Sequence, residues 1–404
     1  MASIMRISFS KIPAANSCKT VLTKINIQAV RTITSKLDEL PPKPKPFDYK
    51  NKIFNITRYW FDKTSARFDE NTKLIVVEGP LAAGKSKFAK EIADAFGMLY
   101  LPEANLDMEY INRYGFDLRK LDSQLPPDCR SFDVMDYMRN PNHKLVARMQ
   151  IQQYLVRFSQ YIDALAHIFS TGQGVVLDRC CYSDFVFAEA MFSRKFLSRA
   201  AYKKYYEYRD NTINELLRPH LVIYLDVPVP KVMENIQKRN ISYEKNSPAL
   251  TESYLETMER HYKQSYLKDM AKHAELLVYD WSLEGDMEVV IEDIESIDFN
   301  KYDYQDPQLK DWEMNKEEDY GVARYKYATR KEKLMAFSNI PDYDVPELIV
   351  GPMEADTFHK VRAAAPGAEY DYGYNANMGD TGLLFKWHAF DRSEFLPAIE
   401  RRSV

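Results

Sequence analysis

Five short apolar runs, Leu74–Val77, Met98–Leu101, Val175–Leu177, Leu221–Leu225 and Leu276–Val278, punctuate the middle of the chain, with segments of helical length between them. Each run is polar only at its ends. A strand with one wet face would alternate apolar and polar residues, so unbroken runs predict a five-stranded parallel sheet flanked by helices on both faces, an α/β fold. Between the second and third runs, Leu145, Met149, Leu155, Phe158, Ile162, Leu165 and Ile168 recur mostly at three- and four-residue steps, which predicts a long amphipathic helix over about 142–170. Further helices are expected over 198–217, ended by Pro219, and over 251–270, where Thr251 suits the N-cap. Two crossover helices, over 228–238 and 285–294, complete the pattern, and no internal repeat interrupts it.

The pattern fails at both ends of the chain. Beyond about Asp298 periodicity disappears while Tyr302, Tyr304, Tyr320, Tyr325, Tyr327, Tyr343, Tyr370, Tyr372 and Tyr374 accumulate. Residues 299–404 are too aromatic for a disordered tail. They are expected to form an irregular C-terminal extension that lies either on the chain's own body or on a partner. Tyrosine, apolar with a polar tip, favours the partner. Near the other end, Pro41-Pro42-Lys43-Pro44-Lys45-Pro46 permits neither helix nor central strand and predicts an extended spacer within a lead-in segment, 34–72.

Composition sharpens three points. A chain of 404 residues, 45% hydrophobic, can bury a full core, and its net charge of −4 gives no bulk attraction for nucleic acid or anionic membranes. No apolar stretch approaches the ~20 residues that span a bilayer, so the chain reads as soluble or peripheral to something larger. Arg6, Lys11, Lys19, Lys24, Arg31 and Lys36 all precede the first acid, Asp38, among scattered Ser and Thr. Such a leader predicts a mitochondrial presequence over 1–33, processed around Arg31-Thr32-Ile33-Thr34. Cys18 lies in that leader, and Cys129, Cys180 and Cys181 show no C-x-x-C spacing, so neither a zinc site nor a disulfide framework is indicated.

The chemistry centres on Gly79-Pro80-Leu81-Ala82-Ala83-Gly84-Lys85-Ser86, set between the first apolar run and a helical pattern reaching Phe96. Gly79 and Gly84 let the backbone turn tightly, so that its N–H groups and the helix N-terminus face a polyphosphate. Lys85 would reach the β and γ phosphates, and the Ser86 hydroxyl would ligate a bridging Mg²⁺. In a parallel sheet, ligands sit outside the carboxyl ends of the strands. Pro102-Glu103 follows the second run, Asp178-Arg179-Cys180-Cys181-Tyr182-Ser183-Asp184 the third, and Asp226 the fourth. Phosphoryl transfer asks for a base, a metal carboxylate and cationic donors at one place. Glu103 can serve as that base or merely cap a helix. Asp178 and Arg179 can serve metal and phosphate or form an ordinary ion pair. Gln150 and Arg157, seven residues apart, share one face of the long helix, where a glutamine amide can read a base edge.

These motifs, in this order, resemble the deoxynucleoside kinase family over roughly 73–298. The resemblance implies a P-loop kinase-like fold with Glu103 as general base toward a sugar 5′-hydroxyl and Asp178 with Arg179 for metal and phosphate. It also implies that Gln150 and Asp184 recognise the base, in a site for ATP or a deoxynucleotide. One element departs from the family pattern. Where several lid arginines are expected, Asn235-Ile236-Gln237-Lys238-Arg239-Asn240-Ile241-Ser242 keeps only Arg239, with Lys238 beside it. Arginine at a phosphoryl-transfer transition state is worth roughly 10³- to 10⁵-fold, so the loss threatens turnover more than binding.

The segments Gly172–Leu177, His220–Pro228 and Val345–Gly351, with the leader, further resemble a kinase-like branch: the accessory subunits of respiratory complex I, NADH:ubiquinone oxidoreductase. That resemblance implies a non-catalytic role in assembly or stability without a redox cofactor. It places the chain on the matrix side of the mitochondrial inner membrane, against membrane-arm subunits of the complex. An active deoxynucleoside kinase is the alternative, and a nucleotide sensor a weaker third.

Overall fold

The computed structural model describes residues 32–302 and 306–382. Most of the expected leader, including its cations before Thr32 and Cys18, lies outside the described residues, as does Tyr304. Each apolar run is a strand: β1 (Leu74–Glu78), β2 (Leu99–Leu101), β3 (Val175–Asp178), β4 (Leu221–Asp226) and β5 (Glu275–Asp280). They form one parallel sheet in the order β2-β3-β1-β4-β5. The chain leaves β1 for β2 and β3 on one side, then crosses to β4 and β5 on the other. The carboxyl end of β1 is therefore the switch point at which α/β sheets bind ligands. Register puts Val77 beside Asp178 and Glu78 beside Tyr224, so three strand ends share that rim.

β1 is wholly buried because both faces of the sheet are covered. Leu74 and Val76 face a core with Phe158, Ile162 and Leu165 of the helix Val146–Thr171. Ile75 and Val77 face a second core with Phe88 and Ile92 of the helix Lys85–Ala95 and Val290 and Ile294 of the helix Met287–Glu295. Each fully buried Val, Leu, Ile or Phe contributes about 1.5–3 kcal/mol.

Three expectations need correction. The long helix is buried almost all round rather than amphipathic, because the C-terminal extension covers its outer face. The extension in turn is not irregular throughout: it contains helices Glu317–Thr329, Lys331–Ala336 and Pro352–Ala363. The first of these buries Gly321, Ala323, Arg324 and Tyr327, a face too poor in aliphatic residues to register as an apolar stripe. The expected 251–270 helix is broken into Glu252–His261, a π turn at Tyr262–Tyr266, and Leu267–Met270. π turns re-aim side chains, and here Tyr262 and Tyr266 are turned into the core beneath the rim.

The extension partly folds onto its own globule. Trp312 and Tyr327 stack on Phe169, and the Tyr327 hydroxyl donates to the Glu215 carbonyl at 3.0 Å. Arg324, fully buried, clasps the lead-in segment: it reaches Asp62 at 3.0 Å and lies 3.9 Å over the Phe54 ring. The expected spacer is pinned too, with Lys43 paired to Asp69 at 2.8 Å and Phe47 N–H donating to the Ser170 carbonyl at 3.0 Å. Ile33, on the leader side of the expected boundary, is buried in the second core, and Thr34 exchanges two hydrogen bonds with Asn71.

The long helix stops at Gly172 with φ of 72°, where an added Cβ would lie 2.0 Å from the Arg67 carbonyl oxygen. Gly172→Ala combines a left-handed conformation with a clash against backbone. It is expected to cost about 3 kcal/mol, read as a lowered urea midpoint.

Candidate functional site

The Gly79–Ser86 loop turns from the end of β1 into the helix Lys85–Ala95. Its glycines are there for two different reasons. A Cβ on Gly79 would sit 2.8 Å from the Leu225 carbonyl oxygen, whereas Gly84, with φ of 82°, has no atom within 4 Å of where its Cβ would be. The second leaves open space at the helix N-terminus, where a phosphate fits. Lys85 is buried and donates to the Pro80 carbonyl at 2.8 Å. Burial and the neighbouring Arg179 push its pKa down to about 8, against the pull of Glu103, Asp178 and Glu78.

The Ser86 hydroxyl donates to Oδ2 of Asp178, and Oδ1 of Asp178 is buried without a hydrogen-bond partner. A divalent cation held by Ser86 and Asp178 would satisfy that orphan oxygen. Among the described residues no cluster of three His, Cys, Asp or Glu could hold a metal, so phosphate oxygens and water would complete such an ion's shell.

In front of the loop opens a cavity of about 510 Å³, lined by Lys85, Glu103, Gln150, Arg157, Arg239 and Tyr254 among others. Glu103 lies on its wall, accepting from Arg157 at 2.8 Å and paired with Arg179 Nε at 3.0 Å. Burial alone would raise the Glu103 carboxyl, but Arg179, Arg157 and Lys85 outweigh it and bring the pKa to about 2. Arg157 also binds Asp184, which accepts from Gln150 at 2.8 Å and from the Tyr205 hydroxyl at 2.7 Å. The Phe187 ring lies 4.8 Å from the Arg157 guanidinium and 4.9 Å from that of Arg179. Arg179 itself is fully buried at φ of 70°, a left-handed conformation costly for a side chain with a Cβ and held here by its partners.

Lys85, Ser86, Glu103, Gln150, Arg157, Asp178, Arg179 and Asp184 thus meet at one rim, as the spacing of the motifs requires. Three of them, Asp178, Arg179 and Asp184, are fully buried behind the cavity wall. Asp184 is fully buried and orients Gln150 and Arg157; Arg179 orients Glu103. Arg239 lines the cavity, but its guanidinium is paired with the buried carboxylate of Glu244, while Lys238 pairs with Glu234. Cys180 and Cys181 are packing residues, with thiol pKa values raised by burial.

Sequence reasoning missed several participants. Glu78, fully buried with its pKa raised by burial, accepts from Cys180 N–H at 3.1 Å, the Ser183 hydroxyl at 2.6 Å and the Tyr262 hydroxyl at 3.3 Å. Gln153 and Gln160 donate to the carbonyls of Ala104 and Pro102 at 2.6 and 2.8 Å, fixing the segment that carries Glu103. Gln150, Gln153, Arg157 and Gln160 fall on one helical face, so that polar stripe inside an apolar helix was a readable signal. Nothing in the sequence pointed to Phe187 or Glu244.

The sequence profile of the family described as deoxynucleoside kinase matches residues 75–314. The chain is 37% identical over 327 residues to NADH dehydrogenase (ubiquinone) 1 alpha subcomplex subunit 10, mitochondrial, of Mus musculus, covering 80% of this chain and 87% of that protein. The protein of the same description from Bos taurus is 35% identical over 326 residues, 80% of this chain and 90% of its own length. A deoxyguanosine kinase of Dictyostelium discoideum is 25% identical over 238 residues, 58% of this chain and 73% of that enzyme.

Proposed function

We propose a function from a plain premise: this chain belongs to the deoxynucleoside kinase family, and within it groups with the alpha subcomplex subunit 10 proteins of NADH dehydrogenase. It acts as a non-catalytic accessory subunit of mitochondrial complex I, peripheral to the inner membrane on its matrix side, and supports the assembly or stability of that complex. One observation carries the reading. Similarity to the subunit 10 proteins covers 80% of the chain and runs well beyond the kinase-like region, whereas similarity to the Dictyostelium kinase covers 58%. Among the described residues no helix is long and apolar enough to cross a membrane, so attachment would run through protein and surface contacts.

The pocket keeps its hold on a nucleotide while its chemistry is blunted. The loop and Lys85 would bind polyphosphate, Ser86 and Asp178 would hold a magnesium ion to neutralise its oxygens, and Gln150 faces the cavity where a base would lie. Glu103 is tied to Arg157 and Arg179, whose charges favour its ionised form and weaken it as a proton acceptor. Arg239, the remaining lid arginine, is engaged by Glu244. A nucleotide bound only to the folded state stabilises it without turnover.

The intact Lys85, Ser86 and Asp178 favour one alternative, a Mg-ATP-dependent deoxynucleoside kinase with Glu103 as base. Native fractionation of mitochondrial membranes separates the two. The accessory role requires the chain to co-migrate with NADH dehydrogenase activity, and a Glu103→Gln variant to restore that assembly in cells lacking the chain. Migration as a free monomer, with a purified protein that phosphorylates a deoxynucleoside and loses this in Glu103→Gln, would establish the kinase instead.

A further inference from the structure

The lead-in segment carries a surface that the nucleotide pocket does not use. Between Lys50 and Lys63 three large apolar side chains stand in solvent: Ile53 is 78% exposed, Trp60 70% and Phe61 95%. Four exposed cations accompany them: Lys50 and Lys52 precede Ile53, Arg58 falls between Ile53 and Trp60, and Lys63 follows Phe61. The one acid in this stretch, Asp62, is half-buried and bound by Arg67 and Arg324. The net charge of −4 for the whole chain therefore conceals a patch that is locally basic and apolar at once.

The patch is held on a braced loop. Phe54 is buried beneath Arg324, its carbonyl accepts from the Thr329 hydroxyl at 2.9 Å, and the short turn Ile56–Trp60 packs against the helix Glu317–Thr329. Little ordering entropy is left to oppose burial of the tips. The mixture of groups selects the occupant. Protein interfaces are depleted in lysine, whereas here three lysines and an arginine border the apolar side chains. Aromatic and aliphatic tips beside lysine and arginine match the head-group level of a bilayer, where the tips enter the acyl boundary and the cations meet lipid phosphates.

We propose that residues 50–63 form a docking face for an anionic phospholipid surface, with Ile53 and Phe61 inserting and Lys50, Lys52, Arg58 and Lys63 pairing with phosphates. This does not depend on the accessory-subunit reading and belongs to the isolated chain. The test is flotation of the full chain with vesicles of phosphatidylcholine, alone or mixed with phosphatidylglycerol. Binding to the anionic vesicles should exceed binding to the neutral ones by about tenfold and weaken with added salt. Because other basic segments can also bind lipid, the deciding variant is Ile53→Ser with Phe61→Ser, which should lower anionic-vesicle binding about tenfold or more. Both side chains are exposed, so an unchanged melting temperature verifies the fold, and Met353→Ser on the exposed face of the extension should leave binding intact. The proposal is overturned if the double variant binds like the unaltered chain, or if neither vesicle binds. Loss of the double variant from a membrane-protein assembly without vesicle binding would assign the face to a protein partner and overturn it equally.

Discussion

Arg157→Met should cost the nucleotide-free fold about 3–5 kcal/mol, the largest loss expected from one change at the rim. Methionine replaces the stem of the arginine, so the effect is not chiefly one of packing. What is lost is the partner of Asp184, which is fully buried and would be left with only the neutral donors Gln150 and Tyr205. Burial opposes the charge on Arg157, but Asp184 and Glu103 more than restore it, so the guanidinium is charged at any workable pH. An uncompensated carboxylate without solvent is the costly species. Glu103 suffers less, because it keeps Arg179 and faces the cavity. Urea unfolding measures the loss, and adding Asp184→Asn should recover part of it by removing the stranded charge. A loss below about 1 kcal/mol would mean that the neutral donors alone satisfy Asp184 and that its pairing with Arg157 does not hold the rim together.

That the rim is a braced ionic network explains what the sequence could and could not convey. The strands were legible because a doubly covered strand has nowhere to put a polar residue, and Leu74–Val77 or Leu221–Leu225 contain none. Once the strands were placed, Glu103, Asp178 and Arg179 had to lie near Lys85, since parallel strands bring their carboxyl ends together. Depth was not legible. Asp184, just before the helix Phe185–Ser193, and Gln150, inside the long helix, are both polar residues near the rim, and only packing puts the first behind the wall and the second in it. Glu244 escaped notice because an acid five residues beyond Arg239 is ordinary on a surface; its burial turns it into the partner of that arginine. The clasp helix Glu317–Thr329 escaped for the opposite reason. Its inward face is Gly321, Ala323, Arg324 and Tyr327, and a buried arginine reads as solvent-facing until Asp62, Phe47 and Phe54 are found around it. Tyr320 and Tyr327 were expected to favour a partner, yet Tyr320 packs on Phe68 of the lead-in segment and Tyr327 on Phe169 of the long helix, while Tyr343 and Tyr372 remain exposed.

Nucleotide binding should take up a proton near pH 8 and almost none at pH 6, and Lys85→Met should abolish both the uptake and the thermal stabilisation by nucleotide. The folded pKa of Lys85, about 8, lies below its ordinary value of 10.5, so the nucleotide-free fold disfavours the charged ammonium. The sign follows. Below pH 8 the group is charged in both folded and unfolded chains and its burial penalty is felt in full; as pH rises from 8 toward 10.5 the folded chain sheds the proton first and the penalty fades. A bound polyphosphate supplies the anion that Lys85 lacks and restores its charge, so binding at pH 8 should draw about half a proton from solution. At a hundredfold excess over Kd the same ligand should stabilise the fold by about 2.7 kcal/mol. Titration calorimetry in buffers of different ionisation enthalpy measures the uptake directly, because the observed heat then varies with the buffer. A heat independent of buffer at pH 8, with stabilisation intact in Lys85→Met, would mean that the nucleotide is held elsewhere on the chain and that Lys85 is a buried remnant of the loop.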